Sequence, residues 1–227
     1  MGGAFGYDND AGKRFLKLML RLTGKRKPRI MFVGTASGDH DYGRVWFYSQ
    51  LAGRNCYPSV LKLFEPVPSD LTSLVLSQDA IFVGGGNSTA LLGVWRAYGF
   101  DKALATAWEH GVVCGGASAG GICWFEQGIS ASSYTDKVVA LEGLGLARGS
   151  FNPHYDTDPK RRPAYHNLIE TGIALDGVGV DETAAVHIIG RDNVRAMSGD
   201  GKSACHRVFL DGGKAVETAL PSSVVRR

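Results

Sequence analysis

The sequence lacks long hydrophobic runs, paired cysteines and any marked excess of one charge, and each absence removes a class of function. No stretch approaches the ~18 consecutive apolar residues that a membrane span needs, so no membrane partner is expected. The opening Met1-Gly2-Gly3-Ala4-Phe5-Gly6-Tyr7-Asp8 has no basic region ahead of an apolar core. No secretory signal is therefore expected, and the expected location is cytoplasmic. The four cysteines, Cys56, Cys114, Cys123 and Cys205, are far apart and none forms a CxxC pair, so they read as reduced, mostly buried thiols. Basic and acidic residues number 25 and 22, a net charge of +3 scattered along the chain. Nucleic acid is not an expected partner on that charge. There is no GxGxxG and no Walker lysine, which argues against a bound nucleotide.

Glycine is abundant instead: 31 of 227 residues, about 14% against a usual ~7%. Hydrophobic residues make up 44% and charged residues 21%, as in an ordinary globular chain. The length suits a single domain over 1–227, with the tail at 221–227 expected to fray. An amphipathic helix is predicted from Ala11 to Gly24, followed by a buried strand over Arg29–Thr35. A helix follows around Val45–Leu51, then strands at Val60–Phe64 and Asp79–Val83, helices over Thr89–Tyr98 and Lys102–His110, and a strand at Val112–Cys114. Unbroken apolar strands alternating with helices predict an α/β fold with a mostly parallel sheet covered on both faces. The less regular second half is expected to add mixed or antiparallel strands. In such folds ligands sit beyond the carboxyl ends of the strands, where two glycine-rich loops fall here.

The second of those loops, Gly116-Ala117-Ser118-Ala119-Gly120, fits the G-x-S-x-G nucleophile elbow, in which a sharp strand-to-helix turn admits only small neighbours beside an exposed serine. A serine hydroxyl needs a base within hydrogen-bond reach. Of the six histidines, His154 ranks first, because Pro153 holds it in a loop after a short apolar segment. His187 lies in an apolar strand, and His40, His110, His166 and His206 offer no comparable placement. A carboxylate must then orient the imidazole, and Glu126, Asp136 and Glu142 lie between serine and histidine with nothing in the spacing to choose among them. The first glycine loop, Gly84-Gly85-Gly86-Asn87-Ser88, makes sense beside Ser118: the amides of Gly85 or Gly86, with that of Ala119, would form an oxyanion hole.

Phe82–Ser88, Gly116–Gly120 and Asn152-Pro153-His154-Tyr155, in that order and spacing, resemble the peptidase E family of serine peptidases, the aspartyl dipeptidases related to cyanophycinase. The likeness runs from Met1 to about residue 210. It implies a flavodoxin-like three-layer sandwich of the class I glutamine amidotransferase type, with Ser118 as nucleophile and His154 as base. It also implies an acidic residue downstream of the serine. Tyr134-Thr135-Asp136-Lys137 is the matching stretch, which selects Asp136, with Glu126 as second choice. Cleavage after an N-terminal aspartate calls for a cation, for which Arg161 and Arg162 are candidates, and Asn87 would bind the substrate amine or backbone. Asp181-Glu182-Thr183 also looks family-like, without an assigned role. The resemblance implies no cofactor and no metal, a small peptide as the partner, and a monomer or homodimer. Cyanophycinase-like cleavage of β-aspartyl-arginine, a silent binding module, and an α/β-hydrolase using His206 are the competing readings.

Overall fold

The computed structural model describes residues 1–3, 10–132 and 137–225. Four parallel strands, β1 (Arg29–Val33), β2 (Tyr57–Leu61), β3 (Ala80–Val83) and β4 (Val113–Gly116), form a sheet in the order β2-β1-β3-β4. Each is short and nearly all apolar because both faces are covered. Ile30, Phe32, Ala80 and Phe82 point to one face, against α1 (Asp10–Leu22) and α2 (Asp41–Leu51). Met31, Val33, Ile81 and Val83 point to the other, against α3 (Leu71–Leu76), α4 (Ser88–Tyr98) and α5 (Phe100–Glu109). Alternate residues thus serve two helical layers, and the predicted α/β sandwich with a parallel-rich sheet is the observed architecture.

The second half begins with the single turn α6 (Ala119–Ile122) and builds a six-stranded mixed sheet. Its strands are β5 (Phe125–Ser130), β6 (Val139–Glu142), β7 (Ala147–Asn152), β8 (Gly177–Val180), β11 (Cys205–Asp211) and β12 (Lys214–Ala219), in the order β12-β11-β8-β7-β5-β6. β5, β7 and β8 are mutually parallel, and the remaining pairings are antiparallel. α7 (Arg161–Glu170) packs on this sheet through Tyr165, Leu168 and Ile169. A third sheet joins β9 (Ala184–Ile189), β10 (Asn193–Ser198) and β13 (Ser222–Val224). The tail expected to fray is therefore partly ordered. β13 pairs with β10, Val225 donates its amide to Ser198 O (2.9 Å), and its side chain is buried. Two adjacent valines, in a stretch too short to show a period, hid that pairing from the sequence. Among the described residues, no helix is long and apolar enough to cross a membrane.

Phe82 is fully buried at the centre of the first sheet, with its ring 6.2 Å from Phe32 and 5.9 Å from Trp46. Removing it leaves a cavity between sheet and helices that the short strands close poorly. Phe82→Ala should cost about 3–5 kcal/mol, read as a lowered denaturation midpoint in urea. A cost under about 1 kcal/mol would place the core elsewhere.

Candidate active site

The carboxyl ends of β1, β3 and β4 bring three loops together, and the sharpest is the turn from β4 into α6. Ser118 stands there at φ 54° and ψ −116°, a conformation that a side chain normally avoids and that costs on the order of 1–3 kcal/mol. The surrounding glycines explain why it persists. A Cβ at Gly116 would collide with the carbonyls of Val83 and Gly120, and one at Gly120 with the carbonyl of Val83. With no side chains in the way, the turn closes directly on the end of β3. The Ser118 amide is held by Met1 O at 3.2 Å, and the Ser118 carbonyl accepts from Gly121 N and Ile122 N.

His154 follows β7 and is also left-handed, at φ 54°. Its Nε2 lies 2.8 Å from Ser118 Oγ, and its Nδ1 lies 2.5 Å from Oε2 of Glu182, which follows β8. The serine, imidazole and carboxylate thus form one continuous hydrogen-bonded line. Two loops are clamped together to hold it. Tyr155 N donates to Val180 O (3.2 Å), Glu182 N donates to Asp156 Oδ1 (2.7 Å), and Thr157 Oγ1 donates to Glu182 Oε2 (3.3 Å). Tyr155 itself is buried, its hydroxyl donating to Glu217 at 2.7 Å, and burial pushes its phenol above the usual range.

The glycine loop after β3 faces the serine. A Cβ on Gly85 would sit 3.3 Å from that of Ser118, while Gly86 adopts φ 142° against the carbonyl of Ala36. Val33 O holds the Gly84 amide (3.0 Å), Ala36 O holds that of Asn87 (2.7 Å), and Ser132 Oγ donates to Gly86 O (3.2 Å). Among the described residues, none accepts from the amides of Gly85, Gly86 or Ala119, the three expected oxyanion donors. α6 is a single turn whose Gly120, Gly121 and Ile122 amides are bonded to Ala117 O and Ser118 O, so its N-terminus offers the site only the Ala119 amide.

With this geometry in view, comparison with known proteins is specific. The model of peptidase family S51 matches residues 1–195. The chain belongs to peptidase family S51. An uncharacterized peptidase, YgaJ of Bacillus subtilis (strain 168), is 40% identical over 220 residues, covering 97% of this chain and 94% of the relative. Peptidase E of Streptomyces coelicolor is 40% identical over 139 residues, 58% of this chain and 53% of that one. Two solved structures share the fold. A peptidase from an acI-B1 actinobacterium has a TM-score of 0.70 at 17% identity, covering 97% of this chain and 92% of its own. A peptidase E-like protein from Listeria monocytogenes EGD-e has a TM-score of 0.56 at 18% identity, covering 93% and 96%. The chain is thus a serine peptidase of the peptidase E type.

Within this S51 peptidase, several expected residues have other employment. The carboxylate on His154 is Glu182, in the segment left without a role. Glu126 instead accepts from Gly149 N (2.8 Å) and meets Arg191 (3.3 Å), because β5 carries it to the far end of β7. Glu142 lies on β6, and Asp136 lies outside the described residues. Glu182 lies beyond His154, outside the serine-to-histidine interval that holds Glu126, Asp136 and Glu142. The signal was present all the same, since it stands at the carboxyl end of a recognised strand. Asn87 caps α4, its Oδ1 accepting from Ala90 N (2.9 Å), so only its NH₂ remains for a substrate. Arg161 is buried and donates to Ile129 O (2.8 Å), Asn152 Oδ1 (3.4 Å) and Asp158 Oδ2 (3.3 Å). Arg162 lies over the Tyr155 ring and pairs with Glu217 at 3.2 Å. Of the other histidines, His40 caps α2, His166 contacts Glu217, and His206 lies 3.7 Å from Asp181. Among the described residues, no group of three or more His, Cys, Asp or Glu is arranged to hold a metal ion.

The elbow's dependence on bare glycine is measurable. Gly120→Ala drives a methyl into the Val83 backbone, which has no flexible end to yield, and should destabilise the fold by about 1–3 kcal/mol. Gly93→Ala, on α4 with open space around it, serves as the control and should be neutral or slightly stabilising in the same urea titration.

Proposed function

We propose that this S51 peptidase hydrolyses short peptides through a Ser118–His154–Glu182 triad, with dipeptides carrying an N-terminal aspartate as the first substrate class. The observation that supports this most strongly is the unbroken line from Ser118 Oγ through both imidazole nitrogens to Glu182. In the proposed reaction His154 Nε2 takes the proton of Ser118 as Oγ attacks the scissile carbonyl. Glu182 holds the ring by its Nδ1–H and stabilises the imidazolium that forms. The tetrahedral oxyanion is met by the amides of Ala119 and of Gly85 or Gly86, which are not committed elsewhere. The Ser118 amide is already held by Met1 O, so it takes no part in the hole. His154 then protonates the leaving amine, and water, deprotonated by the same imidazole, releases the acyl group from Ser118.

The aspartyl preference rests on the family resemblance, supported by one partly free cation. Arg162 has a side chain 43% exposed, whereas Arg161 is enclosed by its acceptors. A second reading, hydrolysis of β-aspartyl-arginine, gains from the same geometry. Both arginines are paired with carboxylates, Asp158 and Glu217, so the basic run repels an arginine substrate less than its sequence suggests.

Kinetics on Asp-Leu and β-Asp-Arg separate these readings, and three variants test the triad. Ser118→Ala should lose about 10⁴-fold or more in kcat. Glu182→Gln should lose about 10²–10⁴-fold, since the amide favours the wrong tautomer. Asp136→Asn should stay within about threefold, because the second imidazole nitrogen is already occupied. A fluorophosphonate should label Ser118 in the parent. An inactive Asp136→Asn beside an active Glu182→Gln would transfer the third role back to residue 136. A parent protein that hydrolyses no peptide and leaves Ser118 unlabelled would overturn the catalytic reading.

A further inference from the structure

The chain leaves Ser118 through α6, runs along β5 and comes back beside the glycine loop at Ser130. Three serines meet there. Ser130 Oγ donates to Ser88 Oγ (3.2 Å), with both residues buried, and accepts from Ser132 N (3.1 Å). Ser132 Oγ in turn donates to Gly86 O (3.2 Å). One residue before this group, Ile129 O accepts from Arg161 Nη1 (2.8 Å). Residues 129–132 are thus bonded both to the helix that follows the His154 loop and to the loop in front of Ser118. None of the three serines belongs to the Ser118–His154–Glu182 line.

Three consecutive glycines have little conformational preference of their own, so hydrogen bonds have to orient the loop they form. The Gly84 amide is fixed on Val33 O (3.0 Å) and the Asn87 amide on Ala36 O (2.7 Å). Between these anchors lie the amides of Gly85 and Gly86, for which no described residue accepts. The Gly86–Asn87 peptide is a rigid plane. A bond at one edge alone would act as a hinge. Here Ala36 holds one edge from the four-stranded side, and Ser132 holds the other from the six-stranded side. With that plane fixed, the Gly86 N–H keeps only the rotation about its own φ, and Gly86 stands at 142° against the Ala36 carbonyl.

We propose that Ser132 is a positioning residue: by holding Gly86 O it aims the Gly86 N–H at the oxyanion that forms when Ser118 attacks. Gly86, rather than Gly85, is then the second donor beside Ala119. Ser130 and Ser88 are the footing of this strap, since Ser130 Oγ holds the Ser132 backbone and is itself braced on the first turn of α4. The inference rests on the triad reading above and deepens it, and it does not depend on which peptide is cleaved. An oxyanion donor is effective only where it is aimed before the charge develops. Loss of aim is felt where that charge appears, in the transition state, and so in kcat rather than KM.

The test compares the parent with Ser132→Ala and with Ser132→Thr, which keeps the hydroxyl. On whichever of Asp-Leu and β-Asp-Arg the parent cleaves faster, Ser132→Ala should lose about 10–100-fold in kcat with KM changed by less than about threefold. Its rate of fluorophosphonate labelling at Ser118 should fall by a similar factor, because the phosphoryl oxygen takes the oxyanion's place. Its urea midpoint should stay close to the parent's. Ser132→Thr should bring both rates back to within about threefold of the parent. Unchanged kcat and labelling in Ser132→Ala beside an active parent would overturn this inference and leave the triad reading standing. Equal losses in the two variants, or a loss carried by KM alone, would overturn it in the same way. A parent that neither cleaves peptide nor takes the label removes the triad reading, and this inference with it.

Discussion

The β4–α6 turn approaches the end of β3 too closely for any side chain between them, and the site depends on that approach. Gly116 and Gly120 rest on the Val83 carbonyl with no room for a side chain, and this contact forces Ser118 to φ 54°. A serine in an ordinary conformation would lie along the strand or the helix, with its hydroxyl engaged by backbone. Held here, it projects beyond the strand ends and meets an imidazole that is itself left-handed. Two strained residues facing each other require that the surrounding structure determine both of them. The loop-to-loop bonds from Tyr155, Asp156 and Thr157 supply that determination for His154 and Glu182.

The serine and the two side chains lined up with it come from different sheets. Ser118 caps the four-stranded parallel sheet, whereas His154 and Glu182 cap neighbouring parallel strands of the six-stranded one. Their 2.8 Å contact therefore reports how the two sheets pack. The packing is tight. Gly121 lies against the Phe151 ring, Gly128 admits Ile122 where a Cβ would collide, and Phe125 and Phe151 have ring centroids 4.9 Å apart. Small shifts at this junction would separate hydroxyl from imidazole, which explains why glycine is concentrated there. Interiors at this density move between discrete arrangements rather than deforming smoothly.

Much of this was legible in the sequence, and the reasons divide along physical lines. Strands buried on both faces announce themselves as apolar runs, so β1, β3 and the helices α1, α2, α4 and α5 lie within a few residues of where the sequence places them, whereas the six-residue α3 is too short to show a period. The elbow was legible because its sterics impose residue types over five adjacent positions. His154 was marked by Pro153. Glu182 was less accessible, because a carboxylate that meets a histidine 28 positions away leaves no local trace beyond its place at a strand end. The second sheet was blurred for a similar reason. β5 and β7 are rich in glycine and polar residues, since one side packs tightly while the other meets loops. Phe125 opens β5 soon after the single turn α6, and an apolar run such as Ile122–Phe125 gives no sign of that change.

The basic run at residues 160–162 shows how far charge can be read without coordinates. Three adjacent cations invite a reading as an anion site, yet they divide by direction. Lys160 is exposed in solvent, Arg161 turns inward and Arg162 lies back on an aromatic ring. Burial lowers the pKa of Arg161, and its guanidinium is retained by acceptors at the end of β5, on β7 and on Asp158. A planar fork with several fixed donors suits such a brace, joining three segments next to the His154 loop as a lysine would not. Removing those acceptors to free Arg161 for a substrate would leave buried carbonyl and amide groups without partners, a cost on the order of 1–3 kcal/mol each. Arg162 faces a smaller barrier, because its partner Glu217 also accepts from Tyr155 and contacts His166 and so is not left alone. In the proposed reading, recognition of an acidic substrate through this run would therefore fall to Arg162, at the expense of a surface ion pair, while Arg161 keeps the loop beside it in place.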